Sequence, residues 1–267
     1  MFNFFSQKVK APSALLVAME GRALFELGAM ALSTPFLKRL PRGDGHPVLV
    51  LPGLGASDGS TRPLRNFLND RGYNPYEWGL GRNFGLRDGI LVGMLDRIDE
   101  IYETHQQKVS LVGWSLGGIF ARELAKLRPE QTRLVISLGS PHSGNPKHSN
   151  AWRFYEFTAG HSVEEPPIET LMHKAPPVPT TSVYTKTDGI VAWQNCHQER
   201  PVCEVKQKQT ENIQVSGSHC GLGFNPMVLY VVADRLAQRE GNWKPFANVG
   251  TRKAFFDTPG LESAIPA

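Results

Sequence analysis

The 267-residue sequence is 40% hydrophobic and 20% charged, with both signs of charge spread along the chain. That length and composition are enough to bury one sizeable core, so we expect a single domain over residues 1–267. The formal net charge is +4 and no block of like charge occurs, which argues against a disordered tail or a nucleic-acid-binding arm. Because no run approaches the roughly 18 apolar residues of a membrane span and no clear signal peptide is visible, we expect a cytoplasmic protein.

The first predicted element is a helix within an N-terminal helical extension, residues 1–45. Apolar residues recur there at roughly helical spacing, at Leu15, Met19, Leu24, Leu27 and Leu32. Glu20, Arg22 and Glu26 interrupt this apolar segment. We expect an amphipathic helix that lies on the protein, and the alternative is a helix that lies in a membrane interface.

Short apolar runs then alternate with helical patterns, which is typical of βαβ units and a mostly parallel sheet. The second strand is the weakest prediction because Pro75 lies within it. The predicted strands are Val48–Leu51, Tyr73–Trp78, Val109–Val112, Leu134–Leu138, Thr181–Tyr184 and Ile213–Val215. The pattern therefore predicts an α/β fold with about six strands and flanking helices.

Residues 141–180 break this alternation. The segment holds the pairs Pro166-Pro167 and Pro176-Pro177, preceded by an aromatic cluster that begins at Trp152. Segments of this length without a regular pattern are usually functional, so we expect a small cap or lid over the sheet rather than a second domain.

The segment Gly113-Trp114-Ser115-Leu116-Gly117 follows an apolar strand directly and precedes a helical pattern. A serine hydroxyl is a poor nucleophile until it is exposed beside a base, and a sharp strand-to-helix turn projects it above the sheet. Glycines at the flanking positions remove side chains that would collide in so tight a turn. We therefore predict that Ser115 is a nucleophile.

On this motif and its context, the sequence resembles the α/β-hydrolase superfamily, and within it the bacterial lipases and esterases. The resemblance covers roughly Val48 to Leu236 and implies a catalytic triad in the chain order serine, acid, histidine. It implies an α/β-hydrolase fold, of which we expect a small six-stranded variant because no further strands precede Val48.

In that order, the acid candidate is Asp188, which follows the predicted strand at Thr181–Tyr184 and begins an Asp-Gly turn. Weaker rivals lie in the insertion, at Glu164, Glu165 and Glu169. The base candidate is His219, which follows the last predicted strand and is flanked by Gly217 and Gly221. The carboxylate would orient the imidazole, and the imidazole would accept the serine proton.

The loop after the first strand reads Pro52-Gly53-Leu54-Gly55, where many lipases carry His-Gly. By resemblance, the backbone N–H groups of Leu54 and Leu116 would form the oxyanion hole, although the departure from His-Gly leaves the register open by one residue.

Four further residues are candidates for substrate binding. Arg82 and Asn83 follow the second strand and would either contact substrate or brace a loop, while His142 and Trp152 would line the pocket. For Trp152 and its aromatic neighbours, core packing is an equal alternative.

The sequence thus predicts a carboxylic ester hydrolase, an esterase or lipase, acting through an acyl-enzyme. The alternatives are an acyltransferase, thioesterase or amidase with the same triad, or a catalytically silent binding module. The expected partners are a small-molecule or lipid ester and, potentially, a lipid surface, but not nucleic acid. No metal-ligand spacing is present, and we expect no metal or other cofactor. Cys196 and Cys203 either form a disulfide or remain free thiols.

Overall fold

A computed structural model describes residues 9–164, 172–198 and 209–259. Its centre is a sheet of six strands in the order β2-β1-β3-β4-β5-β6, and every neighbouring pair is parallel. The predicted architecture is confirmed. The strands are β1 (Pro47–Leu51), β2 (Asn74–Glu77), β3 (Val109–Trp114), β4 (Thr132–Leu138), β5 (Thr180–Tyr184) and β6 (Thr210–Gln214).

The position of each strand in the sheet follows from its composition. β1 and the strands β3 to β5 are buried along nearly their whole length, as expected of parallel strands covered on both faces. β2 contains Pro75, pairs only with β1 and therefore lies at an edge, where a missing N–H is tolerated. β6 begins earlier than the predicted Ile213, because buried Glu211 pairs with Arg235 at 2.8 Å and so allows a polar residue inside the strand.

Helices cover both faces of the sheet. One core cluster joins the sheet to α3 and α7, and the other joins it to α4 and α5. The helices are α1 (Ala14–Ala18), α2 (Ala23–Leu37), α3 (Asp58–Asp70), α4 (Ile90–His105), α5 (Leu116–Leu127), α6 (Trp152–Ala159) and α7 (Pro226–Leu236). Gly72 and Gly160 adopt left-handed conformations at the C-terminal ends of α3 and α6, and Pro226 occupies the first turn of α7. Within the described ranges, none of them combines the length and the apolarity that a membrane span requires.

The cap segment contributes α6, which lies above the carboxyl edge of the sheet. The aromatic ring of Phe154 in this helix approaches the loop at Gly55, and Tyr155 approaches the loop at Gly85. Both loops follow strands at their carboxyl ends. The cap therefore covers the edge at which α/β proteins bind ligands.

The N-terminal segment departs from an ordinary amphipathic helix. It consists of α1, a 3₁₀ turn at Met19–Arg22, and α2. A helix that lies on a protein normally turns its apolar residues toward the core, yet here the apolar residues of the predicted stripe are exposed. The side that faces the protein carries the charged residues, because these residues form hydrogen bonds there with backbone groups of two loops. The exposed stripe is Leu15, Met19, Leu24, Leu27 and Leu32.

Candidate active site

Ser115 occupies a strained turn between β3 and α5. Its backbone has a φ of +55° and a ψ of −121°, a conformation that non-glycine residues rarely adopt. The flanking glycines make the turn possible: a Cβ on Gly113 would overlap the backbone of Gly117, and a Cβ on Gly117 would overlap that of Leu51. The turn places Ser115 at the N-terminus of α5, where free N–H groups favour negative charge.

Asp188 and His219 form a buried pair. The imidazole Nδ1 lies 2.7 Å from Asp188 Oδ2, and both side chains are almost inaccessible to solvent. The other carboxylate oxygen, Oδ1, accepts hydrogen bonds from the N–H groups of Ile190 and Val191 at 2.8 and 2.7 Å. With Nδ1 engaged by Asp188, the remaining ring nitrogen, Nε2, is available to a hydroxyl group.

Several contacts hold the histidine loop against the elbow. The indole Nε1 of Trp114, the residue before Ser115, donates to the backbone carbonyl of His219 at 3.0 Å. The backbone N–H of Ser115 donates to Leu138 O, at the end of β4, at 2.7 Å. The residue after Leu138, Gly139, lies close to the imidazole, since a Cβ on it would be 3.1 Å from His219 Nδ1. The loops that carry the three predicted triad residues therefore meet at the carboxyl edge of the sheet.

The environment of His219 favours its charged form. Burial alone lowers the pKa of the imidazole, but the charge of Asp188 and its hydrogen bond, together with the charge of Glu20, raise the pKa above its ordinary value of 6.5. An imidazole stabilised in this way readily accepts a proton from a neighbouring hydroxyl.

The loop after β1 runs beside Ser115. A Cβ on Gly53 would lie 3.2 Å from the Ser115 Cβ, so this glycine permits a close approach. In the part of the chain that the structure describes, the N–H groups of Leu54 and Leu116 have no hydrogen-bond acceptor, and both residues line the cleft that contains Ser115. Two unpartnered donors beside a candidate nucleophile are the arrangement that an oxyanion requires.

The cleft beside Ser115 is large and apolar. The space between its walls is about 1020 Å³ when its open mouth is included. Aliphatic side chains of α4 and α5 form one wall, and Trp152 and Tyr155 of the cap helix form another. The two other aromatic residues of that helix, Phe154 and Phe157, are exposed.

Asn83 and Arg82 both contact the loop that carries Leu54. Buried Asn83 donates from its side chain to Pro52 O at 2.8 Å, and its backbone exchanges hydrogen bonds with Gly55 and Ala56. Exposed Arg82 donates to Gly55 O at 2.9 Å. Of the two roles that the sequence left open for these residues, the structure supports bracing of a loop.

The expectation that His142 lines the pocket is wrong. His142 is buried away from the cleft, and its Nε2 lies 3.1 Å from the hydroxyl of Ser182 on β5. The reason is that the chain turns inward after β4, so that this imidazole packs against the sheet. Among the rival acids, Glu164 pairs with Lys147 at 2.6 Å on the surface. The other two rival acids, Glu165 and Glu169, lie outside the described residues. Cys203, the candidate disulfide partner of Cys196, also lies outside them.

The sequence did not reveal that Glu20 binds the loops of both Asp188 and His219. The carboxylate of buried Glu20 accepts hydrogen bonds from the N–H groups of Gly189 at 2.7 Å, His219 at 3.1 Å and Cys220 at 2.8 Å. It therefore joins the loop of Asp188 to the loop of His219. Glu20 was visible in the sequence only as an interruption of an apolar segment.

The neighbouring charges of the N-terminal segment act in the same way. Arg22 donates to Thr187 O at 2.6 Å and to Gly217 O at 2.7 Å. Glu26 accepts from the N–H of Ser218 at 2.7 Å and from the side chain of Asn225 at 2.7 Å. The signal that could have identified them is that a charged residue in an apolar helix needs a polar partner.

Comparisons with known proteins agree with this geometry. The family model described as palmitoyl protein thioesterase matches residues 47–202, which is more than half of the chain. A curated relative is the pimeloyl-[acyl-carrier protein] methyl ester esterase of Shewanella woodyi, 28% identical over 110 residues. That match covers 41% of this chain and 42% of the esterase, so it spans less than half of either protein.

Two similar solved structures are lipases. Aspergillus fumigatus lipase B matches with a TM-score of 0.52 and 17% identity, covering 78% of this chain and 56% of that one. The monoacylglycerol lipase of Paleococcus ferrophilus matches with a TM-score of 0.50 and 17% identity, covering 73% and 96%. At such low identity these likenesses establish the α/β-hydrolase fold and nothing finer.

Proposed function

The chain belongs to the palmitoyl protein thioesterase family, and we propose that it is a serine hydrolase that removes an apolar acyl chain from an ester or thioester. The fold is that of the α/β-hydrolase superfamily, in which one triad serves several acyl-transfer reactions. The observation that carries the proposal is the position of Ser115, which lines an apolar cleft beside two unpartnered N–H groups.

The proposed reaction has two stages. Ser115 Oγ attacks the acyl carbonyl while its proton passes to His219 Nε2, and the N–H groups of Leu54 and Leu116 stabilise the oxyanion. The carbon–oxygen or carbon–sulfur bond then breaks, and the leaving alcohol or thiol takes the proton from His219. In the second stage water attacks the acyl-enzyme by the same route, which releases the carboxylic acid and restores Ser115.

The lining of the cleft supports an acyl chain as the recognised group. Apart from Ser115, the lining residues with polar side-chain groups are Ser149, Glu123, Trp152 and Tyr155. Glu123 is paired with Lys126 at 2.7 Å. A hydrocarbon chain gains from such a surface, whereas a polar acyl group would lose its hydration without compensation. The alcohol or thiol portion would lie toward the open mouth of the cleft.

We expect kcat/KM to rise with acyl length from acetyl upward, until the chain fills the cleft, and then to fall. Each added buried CH₂ contributes about 0.8 kcal/mol, which is roughly a factor of four in kcat/KM. The measurement is a series of p-nitrophenyl esters from acetyl to palmitoyl. Ile119, which lines the cleft one turn after Ser115, provides a matched variant: Ile119→Trp should shorten the preferred chain while sparing the acetyl ester.

The same series, prepared as thioesters and amides, separates the remaining alternatives. Faster turnover of the thioester at matched acyl length would favour a thioesterase, which the family model suggests for its members. Transfer of the acyl group to an added alcohol in preference to water would favour an acyltransferase. A decline in kcat/KM from acetyl onward would contradict the proposed acyl specificity. Better turnover of the amide would contradict the proposal that an ester or thioester bond is cleaved.

We also propose that Glu20 is a positioning residue. Its carboxylate fixes the backbone on both sides of the Asp188–His219 pair without lining the cleft, so its removal should affect kcat and leave KM almost unchanged. Because small displacements of catalytic groups are costly, Glu20→Ala should lower kcat by about 10- to 100-fold. Glu20→Gln should lower it less, since one amide oxygen can still accept hydrogen bonds.

A pH profile distinguishes positioning from a merely structural effect. The charge of Glu20 raises the pKa of His219, so both variants should move the acidic limb of kcat/KM to lower pH. Glu100→Gln, which changes an exposed carboxylate paired with Arg97, is the matched control and should leave both rate and profile unchanged. A Glu20→Ala enzyme with wild-type kcat and an unshifted limb would exclude the positioning role.

A further inference from the structure

The charges of the N-terminal segment are confined to its inner face. Between residues 14 and 37 the charged residues are Glu20, Arg22 and Glu26. All three bind backbone groups of the loops around Asp188 and His219. These hydrogen bonds fix the rotation of the segment, so that its opposite side must face outward.

That outer side is apolar. Leu24 and Phe25 expose 77% and 81% of their surface, and Leu15 and Leu32 expose 70% and 85%. Val17, Met19, Leu27 and Phe36 add smaller exposed areas along the same segment. Soluble monomers rarely expose so continuous a run of large apolar residues, and such patches usually mark an interaction site.

Basic residues flank the apolar run at both ends. Lys10 precedes it, and Lys38, Arg39 and Arg42 follow it, all of them exposed. None of these four side chains takes part in an ion pair within the described residues. An apolar face with lysine and arginine at its ends complements a bilayer with anionic headgroups, since the apolar side chains reach the acyl region while the cations remain among the phosphates.

We propose that the outer face of residues 14–37 docks on the surface of an anionic lipid bilayer. The helices lie in the plane of the interface and do not cross it. The inner face meanwhile holds the loops of Asp188 and His219 through Glu20, Arg22 and Glu26. Docking would therefore hold the loops of Asp188 and His219 on the side of the segment that faces away from the lipid. This proposal stands on the N-terminal segment itself and does not require the proposed reaction.

The test is co-sedimentation of the full chain with vesicles of phosphatidylcholine alone and of phosphatidylcholine mixed with phosphatidylglycerol. We expect the wild type to bind the anionic vesicles, more weakly as salt is added. The double variant Leu24→Glu with Phe25→Glu should lose about tenfold or more of that affinity. The matched control is Val249→Glu with Phe255→Glu, which charges two exposed apolar residues elsewhere and should bind like the wild type.

Three further measurements make each outcome decisive. Turnover of a soluble acetyl ester should be the same in both double variants, because neither pair lies in the site. Lys38→Glu with Arg39→Glu should weaken binding to anionic vesicles and leave weak binding to neutral ones unchanged. Absence of wild-type binding, or equal loss in both double variants, would overturn the proposal. So would light scattering that shows a dimer dispersed only by Leu24→Glu with Phe25→Glu, since the face would then join two copies of the chain.

Discussion

Replacement of Ser115 by alanine should reduce the turnover of esters and thioesters by about 10⁴-fold or more. The Oγ atom is the proposed nucleophile, and within the cleft lining the only other hydroxyl groups belong to Ser149 and Tyr155. Alanine is smaller than serine and keeps the same backbone, so the strained turn at φ +55° and the fold should persist. A residual rate above that in water should remain, because the cleft and the oxyanion donors are intact.

The measurement is a steady-state assay combined with labelling by a fluorophosphonate probe. Wild type and a control variant, Ser60→Ala on α3, should be labelled and active, whereas Ser115→Ala should be neither. The hydroxyl of Ser60 donates to Ser57 O, in the first turn of α3, so Ser60→Ala controls for the loss of a serine hydroxyl outside the cleft. Wild-type kcat in Ser115→Ala would refute the mechanism, and so would probe attachment at another residue.

The parts of the site that sequence could predict are those governed by local rules. The elbow was visible because a buried strand, two glycines and a helix must follow one another for Ser115 to project, and Gly113 and Gly117 do contact backbone directly. The choice of Asp188 and His219 rests on predicted strand ends and on the chain order that the resemblance to α/β-hydrolases implies. The conformation of the elbow itself is determined by its nearest neighbours in sequence.

The parts that sequence could not predict depend on contacts between distant segments. Glu20 binds an amide 199 residues away, and no local pattern encodes that partner. The helical spacing of apolar residues was correct in the N-terminal segment, but periodicity cannot tell which face meets the protein. Hydrogen bonds with two distant loops, together with the packing of Met30 and Leu37 against the core, decide that, and they leave the predicted stripe exposed. The burial of His142 likewise depends on Ser182 of another strand.

Asp188→Asn should lower kcat by about 10⁴-fold with little change in fold. The asparagine can keep one oxygen toward the N–H groups of Ile190 and Val191, but its NH₂ group then faces His219 Nδ1. An amide donor at that position favours the imidazole tautomer that carries its proton on Nε2. In this tautomer Nε2 cannot accept the proton of Ser115. Asp70→Asn, an exposed change on α3, should leave kcat unaffected.

The pH profile of this variant carries a second expectation. In the proposed mechanism the neutral imidazole is the active form, so kcat/KM of the wild type should fall as pH drops through a His219 pKa that lies above 6.5. Burial lowers that pKa, whereas the charge and hydrogen bond of Asp188 and the charge of Glu20 raise it. In the asparagine variant burial still lowers the pKa of His219, but the negative charge of Asp188 that raises this pKa is lost. The acidic limb of kcat/KM should therefore move to lower pH. Measurement of kcat/KM from acid to neutral pH tests this shift. An unshifted limb together with a small loss of rate would mean that Asp188 does not act on His219 through its charge, and another carboxylate would have to be sought.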